Sequence, residues 1–427
     1  MPIFSSIPDG WPSPALRATI NESRPYFSGQ RVLVSGANGF VGGHLCRALH
    51  TAGARVSALD IDFSPSRGTL LDLTGLRCDL DLIEADICNR HAIAEIVGQG
   101  GFSHIFHLAA GASTIEKALT NPYDTIVANT LGLVNLAEGA RLLPEMRRPT
   151  VIYASTDKVY GDSPTLPYTE ETELGGVGVY DASKLCADIL AKTYYRALGV
   201  PTVVLRMCNI FGPYDLNFNY RLFPKAMRNI FRDGEAPELY MNSLEHFRDY
   251  LFVEDAVRAY FHIARDAKCH GRIYNLPGSR YIATPDVLRD IVNLIGEFQD
   301  RAAPDSALAQ HRWNRSIRIV PSDPNLITIS KQHLDGTRIA QETDFKPMVG
   351  FKQGLEITAN FYLWYFNQLV TGPVTSSLSE QDHFEPILHE DSLPITYEMP
   401  KPRNGRRARR NSPLMRPVSF LKEEVLV

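Results

Sequence analysis

Three stretches of this 427-residue chain bring reactive side chains together at spacings that could do chemistry. In Tyr180-Asp-Ala-Ser-Lys184 a phenol and an ammonium stand four residues apart, on one face of any helix that carries them. A tyrosine with an ordinary pKa of ~10 is a poor base near neutrality, but a neighbouring cation favours its phenolate, so the pair suits removal of a proton from an alcohol. A buried Tyr beside a Lys that carries its charge out to water is the plainer alternative. Upstream, Ser155-Thr156-Asp157-Lys158-Val-Tyr-Gly161 follows a β-branched run and adds a hydroxyl, a carboxyl and an amine. Nearer the start lies Gly36-Ala-Asn38-Gly39-Phe40-Val41-Gly42, between the strand-like RVLVS and a helical stretch. Glycine lets such a turn approach a pyrophosphate, and the helix start offers unpaired N–H groups and partial positive charge. The next strand ends in Asp60, where a carboxylate can accept hydrogen bonds from an adenosine ribose diol. Loop and carboxylate together predict a dinucleotide site. The anionic Asp60, with no Arg before Arg67, favours NAD over NADP. The alternative is that the glycines are turn residues and Asp60 a surface charge.

These residues need a scaffold that ends its strands at one edge. From about residue 30 to Gly212, the short runs RVLVS, RVSALD, HIFHLAA, TVIYAS and TVVLRM alternate with amphipathic stretches such as FVGGHLCRALHTAG and YDASKLCADILAKTYYRALG. That alternation predicts an α/β fold: a Rossmann-type doubly wound parallel sheet with helices on both faces. After Gly212 the pattern loosens into GPYDLNFNYRLFPKAM, one further strand-like block (DYLFVEDAVRAY) and a helical end at GLEITANFYLWYF, which reads as a smaller interleaved substrate-binding lobe over 213–372. Residues 1–29 form an extension, either a cap on the fold or an unstructured lead. Residues 373–427 carry few regularly spaced apolar residues and read as a disordered or loosely docked tail. Within that tail, Lys401–Pro417 holds seven basic residues and no acidic one, a run that is more often solvated than a binding site.

With 44 Lys plus Arg against 48 Asp plus Glu and a net charge of -4, the chain has no global basic field to attract nucleic acid or anionic lipid. No apolar run approaches the ~20 residues that span a bilayer, so no membrane is expected and the chain reads as cytoplasmic. Six scattered cysteines, without metal-ligand spacing, fit reduced thiols and predict no metal.

The G-x-x-G-x-x-G spacing resembles the extended short-chain dehydrogenase/reductase family, the nucleotide-sugar epimerases and dehydratases. Further matches follow in family order: Asp86-Ile87 in EADI, His107-Leu108-Ala109-Ala110, and Asn129 in VANTLGLVNLA. The resemblance implies that Asp86 and Ile87 border the adenine, that Leu108, Ala109 and Ala110 line the cofactor path, and that Asn129 supports the site. It places Thr156 with Tyr180 and Lys184 in the triad that oxidises an alcohol while hydride passes to NAD. It implies Asn209 in CNIFGPY, Arg221, Arg248 and Ser113 as contacts to a nucleotide-diphosphate sugar, and a homodimer paired through the Tyr180 helix. An Arg fork suits phosphate oxygens, although Arg248 could equally pair with Glu245 or Asp249.

Asp157 and Lys158 divide the family's chemistries. An epimerase needs only to oxidise C4 and return hydride to the other face. A 4,6-dehydratase also needs a base for the C5 proton and an acid for the departing 6-hydroxyl. The dTDP-glucose-type dehydratases carry Asp-Glu here, whereas CDP-glucose 4,6-dehydratases resemble the Asp-Lys pair, with Asp157 as acid and Lys158 as base. That assignment requires Asp157 to be raised and Lys158 depressed in pKa, which an ion pair between them would oppose. Otherwise Lys158 only orients the loop or contacts phosphate. The expectation is an NAD-dependent nucleotide-sugar 4,6-dehydratase, with a C4 epimerase as the alternative and a non-catalytic NAD-binding scaffold as a third reading.

Overall fold

The computed structural model describes residues 7–371, apart from 66–67, 113, 177, 305 and 324–327. Ser113 and the basic tail run therefore lie outside the described residues. Thirteen strands are described: β1 (Arg31–Ser35), β2 (Arg55–Asp60), β3 (Asp81–Glu84), β4 (His104–His107), β5 (Thr150–Thr156), β6 (Thr202–Met207), β7 (Asn209–Phe211), β8 (Glu238–Tyr240), β9 (Phe247–Phe252), β10 (Ile273–Leu276), β11 (Arg280–Ala283), β12 (Arg318–Val320) and β13 (Lys331–Gln332). Seven of them form one parallel sheet in the order β10-β6-β5-β4-β1-β2-β3. The order reverses between β1 and β4, which opens a crevice at the carboxyl ends of those strands.

The five β-branched runs become β1, β2, β4, β5 and β6 because both faces of each must be buried. Val32 and Val34 enter one core cluster and the intervening Leu33 the other, so helices cover the sheet on both sides. The sheet also takes in β3 and β10, whose short four-residue runs give little sequence signal.

The expected strand block DYLFVEDAVRAY requires correction, since only its first part is extended. It divides at Phe252 into β9 and a helix, Val253–Ala264, because Val253, Ala256, Val257 and Tyr260 recur at helical spacing and are fully buried. Of the two readings of the N-terminal extension, the cap applies to Pro14–Phe27. This helix is closed at its start by Ser13, whose Oγ accepts from Leu16 N–H, and it buries Leu16, Ile20 and Phe27 in the main core. Asp9, just ahead of it, pairs with Arg47 at 2.6 Å and accepts the Tyr214 hydroxyl at 2.7 Å.

A second sheet is built around β9. In it β9 pairs antiparallel with β11 and parallel with β7 and β13, and the register sets Gln332 opposite Arg248. A two-stranded pair, β8 with β12, lies beyond it.

Three imidazoles are sealed in this fold without charge. His44 donates from Nε2 to the Pro213 carbonyl, His104 lies against the Ala264 carbonyl, and His107 Nδ1 is 2.8 Å from Ser35 Oγ. Burial lowers them to about 4, about 4 and about 3, respectively. Below pH ~6.5 the unfolded chain takes up three protons that the folded chain refuses, so stability falls as pH falls. Buried Glu254, pushed up to about 7, acts in the opposite sense and cancels one of them. His246, also lowered to about 4, adds to the imidazoles, and the raised carboxyls of Asp157, Glu170, Asp181, Asp249 and Asp255 act with Glu254. The imidazoles, whose ordinary pKa lies above the carboxylate range, should leave a net fall in stability between pH ~6 and ~4.5. Urea unfolding at successive pH values checks this, and a midpoint constant over that window would refute it.

Candidate active site

The glycine loop is dictated by close backbone approaches. Gly36 has φ +73° and sits so near the next crossover that a Cβ there would lie 2.7 Å from Ala109 N. A Cβ on Gly42 would overlap the Gly36 carbonyl oxygen. Asn38 N–H donates to Asp60 Oδ2 at 2.9 Å, and the Asn38 side chain is held between Asp62 O and Thr69 Oγ1. Ile61 N–H donates to the other Asp60 oxygen. The helix Phe40–Thr51 starts at Gly39 with no side-chain cap, and Phe40 and Val41 are half-buried at its mouth. This cradle of bare backbone at a helix start, with a carboxylate at the end of β2, fits a dinucleotide. Leu108, Ala109 and Ala110 leave β4 across the loop, with Leu108 N–H on Ser35 O. Asp86 is exposed after β3, and Ile87 is buried beneath it, its carbonyl accepting from Asn135.

Tyr180 enters from the first turn of the helix Val179–Leu198, and Thr156 ends β5, followed by a single 3₁₀ turn, Asp157–Tyr160. Thr156 Oγ1 donates to Asp157 Oδ1 at 3.0 Å and accepts from Lys158 N–H. Asp157 is 1% exposed, and its Oδ2 has no hydrogen-bond partner among the described residues. Burial raises its pKa against the pull of the Lys158 charge. Lys158 turns its Nζ to Gln332 Oε1 at 3.5 Å.

Burial also pushes Tyr180 up to about 12, opposed chiefly by the Arg221 charge and by the Thr156 hydroxyl. Arg221 lies 5.8 Å from the Phe40 ring and so joins the cofactor loop to the phenol. Sequence reasoning gave that cationic role to Lys184. The buried Lys184 instead donates to the Ala154 carbonyl at 3.0 Å, and burial lowers it to about 8. Asn129 ties the site together: it accepts from Gly111 N–H and donates to Ser183 Oγ, which in turn donates to the Tyr180 carbonyl.

Asn209, at the start of β7, donates to Asp249 O at 3.3 Å, and Arg221 pairs with Asp215. Arg248 engages neither Glu245 nor Asp249 through its guanidinium. It donates to the carbonyls of Phe247, Ile329 and Ser330, while Asp249 is bound by His333 and Leu334 N–H.

The family model for the NAD dependent epimerase/dehydratase family matches residues 32–276. The chain belongs to this family. The dTDP-glucose 4,6-dehydratase of Escherichia coli is 30% identical over 351 residues, which are 78% of this chain and 93% of that protein. The Neisseria meningitidis dTDP-glucose 4,6-dehydratase is 28% identical, covering 80% and 96%. Among solved structures, the Streptomyces venezuelae dTDP-glucose 4,6-dehydratase DesIV, with NAD bound, superposes with a TM-score of 0.67 at 25% identity over 81% of this chain and 99% of that one. The Thermotoga maritima UDP-glucose 4-epimerase shares the fold at a TM-score of 0.67 and 20% identity, over 79% and 99%. As a member of the NAD dependent epimerase/dehydratase family the chain is an enzyme, and NAD is its cofactor.

Sequence reasoning missed two features of this family member's site. One is Gln332. The other is a buried network under the reactive edge: Arg206, 2% exposed, makes a two-pronged contact with Asp188 at 2.8 and 3.0 Å and donates to Tyr160 Oη, which donates to Asn275. A lone Arg inside the apolar run TVVLRM was the available signal, because a buried guanidinium must have a partner. Asp188→Ala strands that charge and should cost ~3–5 kcal/mol, read as a lowered urea midpoint. A loss below ~1 kcal/mol would mean the network is dispensable.

Proposed function

We propose that this chain is an NAD-dependent nucleotide-sugar 4,6-dehydratase, which converts an NDP-hexose to an NDP-4-keto-6-deoxyhexose. The observation that carries the reading is the buried Asp157, with one unpartnered oxygen and a raised pKa, set between Thr156 and Lys158 at the end of β5. A C4 epimerase needs neither an acid nor a second base there, whereas a dehydratase needs both. The curated dTDP-glucose dehydratase relatives agree with this choice over nearly their whole length.

In this reading Gly36, Asn38, Gly39, Phe40, Val41, Gly42 and Asp60 hold the dinucleotide, with Asp86, Ile87, Leu108, Ala109, Ala110 and Asn129 around it. NAD, when bound, supplies the hydride acceptor for C4 and the hydride donor for C6. Tyr180 takes the C4 hydroxyl proton, oriented by Thr156 and supported by the Arg221 charge, while Lys184 holds its helix to the Ala154 carbonyl. With C4 a ketone, Lys158 removes the C5 proton and the electron pair moves into the C4 enolate. Its return expels the 6-hydroxyl, which takes a proton from Asp157 and leaves as water. Hydride then adds at C6 and a proton at C5, completing the redox-neutral cycle. Asn209, Arg221, Arg248 and Ser113 contact the sugar nucleotide.

Two further readings accompany this one. Exposed Ile126 and Leu131 on the helix Pro122–Arg141, beside Ile189 on the Tyr180 helix, support a homodimer through these two helices. Six free thiols support a reducing cytoplasmic setting.

Incubation with NAD and a panel of NDP-hexoses, dTDP-glucose and CDP-glucose included, should give a product lighter by one water in the mass spectrum. A product of unchanged mass and inverted configuration would establish the epimerase instead. Tyr180→Phe should abolish turnover with NAD binding nearly unchanged. Lys158→Ala should retain C4 oxidation but lose water release, and a fully active variant would remove Lys158 as the base.

A further inference from the structure

Three residues that interact with Lys158 each carry a buried polar atom without a hydrogen-bond partner among the described residues: Asp157 Oδ2, Asp181 Oδ1 and Gln332 Nε2. Asp157 Oδ2 belongs to the turn after β5, and Gln332 Nε2 belongs to β13. Gln332 itself is 1% exposed, and its other amide atom, Oε1, accepts from Lys158 Nζ. A buried amide whose N–H groups bond to nothing costs free energy on the order of ~1–3 kcal/mol, so its retention calls for a bound partner. The pairing of β13 with β9 fixes where the amide sits, opposite Arg248.

We infer that Gln332 is the positioning residue for Lys158 in the elimination step, and that its free N–H, with Asp157 Oδ2, brackets the departing 6-hydroxyl of the sugar. This rests on the dehydratase reading above. The chemistry of the amide carries the point. A lysine that must act as a base needs its amine held in place without its ammonium being stabilised. A carboxylate partner would hold it and favour the charged form, whereas an uncharged carbonyl accepts one N–H and leaves the nitrogen lone pair directed elsewhere. A hydroxyl in turn can accept from the amide N–H and meet the carboxyl with its other valence, so donor and acceptor match one leaving group. No covalent step is added: the C5 proton still passes to Lys158, and the C6–O bond still breaks with protonation by Asp157.

The test is single-turnover and steady-state kinetics of Gln332→Leu and Gln332→Glu on the full chain with NAD and the NDP-hexose that the wild type converts. Gln332→Leu should form reduced nicotinamide at the wild-type rate but release water about 10- to 100-fold more slowly, the scale expected for a misplaced catalytic group. KM should change little. Gln332→Glu keeps the shape and the acceptor but adds a charge that favours the ammonium. Its elimination rate should therefore fall at neutral pH and recover as pH rises, with the ascending limb of the profile moved upward. The other groups whose charge reaches Lys158 are Asp157, Asp181, Cys208 and His246, all unaltered in both variants. Should the Leu variant fail to fold, the isosteric Glu variant still decides. A profile identical to wild type, or full elimination in either folded variant, overturns the role of Gln332 alone. A wild type that returns an epimer of unchanged mass overturns the dehydratase reading and this role with it.

Discussion

A guanidinium with almost no access to water sits beneath the reactive edge of the sheet, and much of the site depends on what it holds. Arg206 comes from β6, and it is tolerable there only because Asp188 answers it with two hydrogen bonds from the Tyr180 helix. Ser155, the residue before Thr156, donates to the same carboxylate, and Tyr160 and Asn275 extend the network to the 3₁₀ turn and to β10. One ion pair thereby sets the helix that bears Tyr180 and Lys184 against the strand that ends in Thr156. The triad's geometry is a by-product of satisfying a buried charge.

Above that base, burial itself tunes the chemistry. The same removal of water raises Asp157 and Tyr180 and lowers Lys184 to about 8. Each shift favours the neutral form of its group, because burial penalises the charged one. The charge of Arg221 opposes the rise at Tyr180, so the phenol is tuned by a residue outside the helix that carries it. The electrostatics of this phenol therefore depend on a segment of the chain well beyond its own helix.

Much of this was legible in the residues alone. Five parallel strands, the glycine loop, Asp60 and the Tyr180 helix followed from period and spacing, because those elements bury two faces or demand special backbone. DYLFVEDAVRAY was misread because its helix is so thoroughly buried that it resembles a core strand until Val253, Ala256, Val257 and Tyr260 are counted at helical spacing. β3 and β10 are too short to declare themselves. In the site, the motif residues were visible as types, but their partners were not. That Lys184 reaches the Ala154 carbonyl, that Arg248 donates to backbone carbonyls, and that Gln332 meets Lys158 depend on packing between segments up to 174 positions apart.

The separation between Lys158 and Gln332 also bears on how such a chain is made. The glycine loop, the Tyr180 helix and six of the seven central strands are complete once Met207 has been synthesised, and β10 closes the sheet edge after Leu276. β13 must still be added to β9 from a segment that emerges last among the strands. A nascent chain can therefore assemble its dinucleotide crevice well before the amine of Lys158 acquires its acceptor, since domains fold from the N-terminus as they leave the ribosome. In the order of synthesis the dinucleotide crevice is thus laid down before the amide that meets Lys158.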